Sequence, residues 1–292
     1  MPGPSINCRK HVRKRIERRI RKRLRQRSRH LIWAPQVRKA VLKAEQSGVS
    51  LVDALAAVIR DTAAGWGARA DAARLLSLTG DSHGTCILLE QLFSQEYRDE
   101  LYLTALSLEH TGDLHAVKFL RKALHDPNPH RRTGAARALG WIGYRGNRSA
   151  PHLARVLTDA SQAVETREEA AESLAYLRCS LTITPALTSV LSDPNPGVRF
   201  WAVFALGSRR RGYASSYDPR AIPALESVLH DDECASPDRW WSVAKEALAM
   251  LGQYIEPPIK KYRDLLQHEV ARVKADPDAS KQDKFWADSY DD

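Results

Sequence analysis

The chain reads as an all-α protein, a solenoid of about six helical pairs closed by one more helix. Three observations carry that reading. Two kinds of short apolar segment alternate along 292 residues. The alternation recurs with a period of about 33 residues, the range of helical repeats. Matching breakers stand between segments: DPNPHRR at 126–132 and DPNPGVR at 193–199 lie 67 residues, or two periods, apart.

The first element is a basic arm. Residues 1–43 hold 16 Lys/Arg against one acid, Glu17, a charge of +15, and the remaining 249 residues hold 29 Lys/Arg against 34 acids, a charge of −5. The formal net charge of +10 therefore describes neither part. Within the arm the cations are Arg9, Lys10, Arg13, Lys14, Arg15, Arg18, Arg19, Arg21, Lys22, Arg23, Arg25, Arg27 and Arg29. Val12, Ile16, Ile20 and Leu24 recur every fourth residue, a helical spacing that confines them to a sector of about 120°. Self-repulsion disfavours such a helix alone, and a polyanion relieves it. Nucleic acid or a ribonucleoprotein is the expected partner. A membrane surface is the weaker alternative, because the stripe is thin and lacks aromatic residues, and an acidic protein groove is another. With no aromatic before Trp33, the arm is expected to position phosphates and not to read bases.

The repeats occupy residues 47–274, after a lead-in helix that ends near 46. First helices are expected near 51, 85, 115, 150, 182, 221 and 257, and second helices near 67, 99, 131, 166, 198 and 238. Segments such as ALAAVIRD at 54–61 and IPALESVLHD at 222–231 represent the first type, and GAARALG at 134–140 and WAVFALG at 201–207 the second. Both place apolar residues at i, i+3, i+4 and i+7. Alanine on the second type permits close approach. Neither type buries its face alone, but stacked neighbours do. Asp-Pro and Gly143 stop the helices, since proline lacks a donor and the residue before it avoids the αR region. The stretch 275–292 follows, with six Asp and two Lys around Phe285, Trp286 and Tyr290, and its composition predicts an acidic tail disordered in isolation.

DPNPGVRFWAVFALG and DPNPHRRTGAARALGWIG resemble HEAT-like repeats of the phycobilisome-lyase type, over residues 51–268. The resemblance implies a right-handed superhelix whose second helices line the concave face. It also implies a structural ladder in which the Asp ending one helix meets the Arg opening the next: Asp61 with Arg69, Asp126 with Arg132, Asp159 with Arg167 and Asp193 with Arg199. Leu101 and Trp241 replace the Arg in the second and sixth units.

At positions that the repeat pattern leaves free stand Trp141, Tyr176, Phe200, Trp201 and Phe204, with Trp240 and Trp241 at the next boundary. Aromatics clustered on neighbouring units predict an exposed partner-binding surface; packing between repeats is the competing reading. The turn SRRRGYASSYDPR at 208–220 adds Arg209, Arg210 and Arg211 as a second polyanion contact.

Chemistry is sparse. Cys8, Cys86, Cys179 and Cys234 show no paired spacing, which predicts reduced thiols, mostly packed in helices, in a reducing, cytoplasmic compartment. The histidines lack metal spacing, and no cofactor is expected. No run of 18 apolar residues predicts a membrane span, and no apolar segment follows the basic residues as in a secretory signal. Glu109-His110 and His268-Glu269 fall short of the repeated His-Glu pairs of deoxyhypusine hydroxylases. The expected function is a non-catalytic scaffold or adaptor that binds a protein on its concave face and a polyanion through its arm. The alternatives are a lyase or chaperone acting on a flat ligand such as a bilin, or a HEAT-like DNA glycosylase with Glu168 or Glu172 beside the aromatics.

Overall fold

The computed structural model describes residues 35–61, 63–78, 83–94, 108, 114–142, 147–177, 180–207, 218–236, 240–254 and 259–290. They form two compact units, up to Ala123 and from Leu124 onward. Fourteen α-helices stand among the described residues.

The first unit contains α1 (Pro35–Ser47), α2 (Leu51–Arg60), α3 (Trp66–Leu78), α4 (His83–Ser94) and α5 (Leu114–Ala123). Gly48 ends α1 with φ +66°, a left-handed conformation in which a Cβ would be strained. Helix α2 buries Leu51, Val52, Leu55, Ala56, Val58 and Ile59, while α3 supplies Ala68, Ala72, Ala73 and Leu75. Small residues on α3 against branched ones on α2 let the two helices pack along their length.

The second unit contains α6 (Pro129–Trp141), α7 (Ala150–Thr158), α8 (Val164–Tyr176), α9 (Ser180–Ser189), α10 (Pro196–Gly207), α11 (Ile222–Ser227), α12 (Val243–Ala249), α13 (Lys260–Ala275) and α14 (Lys281–Ser289). Second-type helices form one layer: α8 packs on both α6 and α10, and α10 on α12. First-type helices form the other, with α7 against α9.

The breakers have a common geometry. In each, an Asp side chain accepts the backbone N–H two residues on: Ala63 to Asp61 at 3.0 Å, Asn128 to Asp126 at 2.9 Å, Ser161 to Asp159 at 3.0 Å, Asn195 to Asp193 at 2.9 Å, Glu233 to Asp231 at 3.2 Å and Asp278 to Asp276 at 2.9 Å. This Asx turn ends one helix and aims the chain into the next. In the DPNP copies the Asn then caps the following helix, accepting from His130 N–H or Val198 N–H.

The arginine ladder exists, but its register differs from the expected one. Arg132 donates to the carbonyls of Asp126 and Pro127, at 2.9 and 3.1 Å, and Arg199 repeats this with Asp193 and Pro194, at 2.7 and 3.3 Å. Within its own repeat the arginine thus meets the aspartate's backbone. The carboxylate it pairs with belongs to the next repeat: Arg167 with Asp193, and Arg199 with Asp231 at 2.6 Å. The physical reason is that Asp193 and Asp231 each accept from their own turn with one oxygen and turn the other to the preceding repeat, whereas at Asp126 and Asp159 Arg131 and Gln162 of the same turn take the second oxygen. In the first unit Arg69 donates to the Ile59 carbonyl at 3.2 Å. Arg137 adds a buried bidentate pair with Glu169, its Nε at 2.7 Å, tying α6 to α8. Gly140 is required here, since a Cβ would stand 2.7 Å from Ser173 Cα.

A second correction concerns residues 275–292. Composition predicts disorder, yet Lys281–Ser289 is helical and Trp286 and Ala287 are fully buried. Ser280 accepts from Asp283 N–H at 3.0 Å and caps the helix, and burial of a tryptophan outweighs the polar composition.

Candidate functional site

The sequence nominates two sets of residues. Arg9 to Arg29, together with Arg209, Arg210 and Arg211, lie outside the described residues. The aromatic set lies in the second unit and separates into two groups.

Trp141, on the last turn of α6, and Tyr176, on the last turn of α8, occupy equivalent positions of successive repeats. Their rings stack at 5.1 Å with a 37° tilt, and both are half-buried. Tyr176 donates to Glu172 at 3.3 Å. Glu168, one turn earlier, lies against Gly197, where a Cβ would clash with its carboxylate, 2.8 Å from the Cδ carbon and closer still to Oε1. This group keeps the expected partial exposure.

The second group does not. Phe200, Trp201 and Trp241 are 1%, 7% and 6% exposed, so three of the seven predicted partner-binding residues are largely core. Phe204 and Trp240 are half-buried. Phe200 meets Trp201 at 5.3 Å edge-on, Trp201 meets Phe204 at 5.5 Å, and Trp240 contacts Phe200 at 5.9 Å and Trp201 at 5.5 Å. The cause is the chain between α11 and α12. Helix α12 starts at Val243 and not near 238; the chain before it bridges Cys234 to Ser242 and carries Trp240 and Trp241 back onto α10. Tilted and edge-to-face rings bind through their quadrupoles as well as by area.

Trp241 holds the position where a repeat arginine would stand. Its indole N–H donates to Glu246 at 2.7 Å. Glu246 is fully buried, and its other carboxyl oxygen has no hydrogen-bond partner. Burial pushes its carboxyl up to about 7, with the Trp241 bond opposing the shift. On its far side Trp241 meets Phe285 at 6.0 Å and Tyr290 at 6.2 Å. The aromatic cluster thus continues through Phe285 and Trp286 of α14 to Tyr290 just past its end, three residues of the stretch whose composition predicts a tail. The signal that finds them is Ser280-x-x-Asp283, a helix-start pattern directly before the aromatics.

Cys86 and Cys234 are exposed free thiols, which corrects the expectation of packed cysteines; Cys8 and Cys179 lie outside the described residues. Among the described residues no helix is long and apolar enough to cross a membrane.

Paired helices, Asx turns and a repeat-to-repeat arginine ladder define an all-α solenoid of the helical-repeat class. The chain belongs to the HEAT repeat family, whose model matches residues 87–174 and 160–242. No curated protein matches it. Similar solved structures include the CpcE–CpcF complex of phycocyanin lyase from Nostoc sp. PCC7120, 20% identical over 92% of this chain and 96% of that one, with a TM-score of 0.38. Human deoxyhypusine hydroxylase in complex with glycerol is 21% identical over 79% of this chain and 81% of that one, with a TM-score of 0.34. An engineered protein is 19% identical over 96% and 72%, with a TM-score of 0.43.

Proposed function

We propose that the protein is a non-catalytic HEAT-repeat scaffold that binds a protein partner on its second-helix face and a polyanion, RNA or DNA, through residues 9–29. The observation that carries the reading is the separation of charge, +15 in residues 1–43 against −5 in the rest. A repeat body needs no such segment for its own packing. Thirteen cations in 21 residues can neutralise many phosphates, and release of condensed counterions drives the association. The half-exposed Trp141–Tyr176 pair offers the body a place to engage a second molecule. Co-purification tests the reading. Protein prepared at low salt should carry nucleic acid, seen as a raised 260/280 nm ratio, and should lose it at high salt. The same preparation lacking residues 1–30 should carry none. Equal nucleic-acid content with and without the arm would refute it.

A second reading, a lyase or chaperone acting on a flat ligand, draws on the same ring pair, which could stack on a planar chromophore. A visible absorption band after incubation with a bilin, abolished by Trp141→Ala, would favour it over the scaffold.

A further inference from the structure

Helix α14 is held on the last repeat by a distinct chemistry. Trp286 is fully buried on its inner side. Lys245 of α12 pairs with Asp283, and its ammonium lies 5.5 Å from the centre of the Trp286 ring. Lys274 of α13 stands 3.6 Å from Asp288. Asp283, Trp286 and Tyr290 are spaced i, i+3, i+7 and share one face. The receiving surface is therefore aromatic and cationic, and its occupant is a short helix, neutral overall, whose two aspartates, Asp283 and Asp288, meet its lysines and whose tryptophan is buried against it.

Three features mark this occupant as exchangeable. A nine-residue helix does not persist alone in water, so α14 forms only while seated. Its seat is imperfect: Trp286 Nε1 is buried without a hydrogen-bond partner, which lowers the stability of the joint. The seat is also longer than the helix. Tyr290, just past the end of α14, forms a wall of a cavity of about 590 Å³ along α13, floored by Leu266 and Val270, and the charged side chains lining it, Arg263 and Lys274, are both cationic. Eleven residues apart, these two cations lie on one side of α13, about three turns apart.

We propose that this face is a docking seat for an acidic helix of a protein partner, which bears an aromatic residue three positions after an acid and further acids for Arg263, and that α14 fills it in cis until such a helix displaces it. The proposal rests on the scaffold reading and supplies the chemistry of its protein partner. The basic arm is excluded as occupant, because Lys245, Lys274 and Arg263 repel it. Tethering favours α14 through its high effective concentration. A partner prevails only by adding contacts along α13 that α14 does not make.

The full chain is titrated with two fluorescein-labelled peptides. One is residues 278–292 of this chain, and the other is the same peptide extended at its C-terminus by four glutamates. The extended peptide should bind about 10-fold more tightly than the shorter one, and Arg263→Glu should erase that difference. Trp286→Ala in the chain should raise the affinity for both peptides about 10-fold by loosening the cis helix. Hydrogen exchange on the unsubstituted chain should show α14 amides exchanging roughly 100-fold faster than those of α8, a readout that stands even if the Trp286 variant does not fold. Absence of peptide binding to both chains, or α14 amides as protected as those of α8, would overturn the proposal. Dimerisation through exchanged α14 helices, detected by light scattering without peptide, would assign the seat to a second copy and overturn it too. Both acidic peptides also attract the basic arm, which Arg263→Glu leaves intact, so tighter binding of the extended peptide that survives Arg263→Glu belongs to the arm and overturns the seat, while nucleic-acid binding, measured separately, reports on the arm alone.

Discussion

Replacing Glu246 by Gln tests whether a buried carboxyl governs the pH dependence of the second unit. Glu246 is fully buried with one oxygen bonded only to the Trp241 indole. Its carboxyl is raised from 4.5 to about 7 by burial. Between those values the folded chain keeps a proton that the unfolded chain releases, so stability falls as pH rises. The contribution is fully present below about pH 4.5 and is lost by pH 8. At about 1.4 kcal/mol per pH unit the loss amounts to roughly 3 kcal/mol. Gln keeps the acceptor for Trp241 and cannot ionise. Urea titrations of both chains at pH 5, 6, 7 and 8, followed by far-ultraviolet circular dichroism, measure the difference, and subtraction cancels every other titrating group. Glu246→Gln should match the parent within about 1 kcal/mol at pH 5 and exceed it by about 1–3 kcal/mol at pH 8. A difference independent of pH would refute the reasoning.

Further tests address the stacking of repeats. In double-mutant cycles, Arg167→Ala with Asp193→Ala should show a coupling of about 1–3 kcal/mol, whereas Arg199→Ala with Asp193→Ala should show far less, because Arg199 meets only the Asp193 carbonyl. Equal couplings would return the ladder to pairing within a repeat. Gly140→Ala should cost about 1–3 kcal/mol in a thermal or urea melt, since the added Cβ meets the Ser173 backbone; a neutral result would mean that α6 and α8 can separate cheaply.

The helices were legible because their determinants are local. Leu51, Leu114, Ala150, Ser180 and Pro196 begin helices within about two residues of the positions read from the apolar spacing and the Asp-Pro breakers. What depends on neighbours in space was not legible. The pattern gives Asp193 and Arg199 an offset of six residues, but only stacking decides that Arg167 takes the carboxylate. Phe200 sits where Thr133 and Glu168 are half-buried in the preceding repeats, and the irregular chain before α12 folds over α10 and covers it; Trp201 and Trp241 sit where Glu169 and Arg199 are already buried, so positions that the repeat pattern leaves open in residue type are not all solvent-facing. Residues 275–292, with six Asp against two Lys, look too acidic to fold, and one buried tryptophan with a Ser280 cap reverses that expectation over 281–289.

Salt dependence of RNA binding addresses the proposed function most directly. Fluorescence anisotropy with a labelled single-stranded RNA of about 30 nucleotides is measured across potassium chloride concentrations, for the full chain and for one lacking residues 1–30. With 13 cations in residues 9–29, the full chain should give a log–log slope of about −5 to −9. Without the arm, affinity should fall at least about 100-fold and the slope should approach zero. An unchanged affinity and slope after removal of the arm would contradict the assignment of polyanion binding to it.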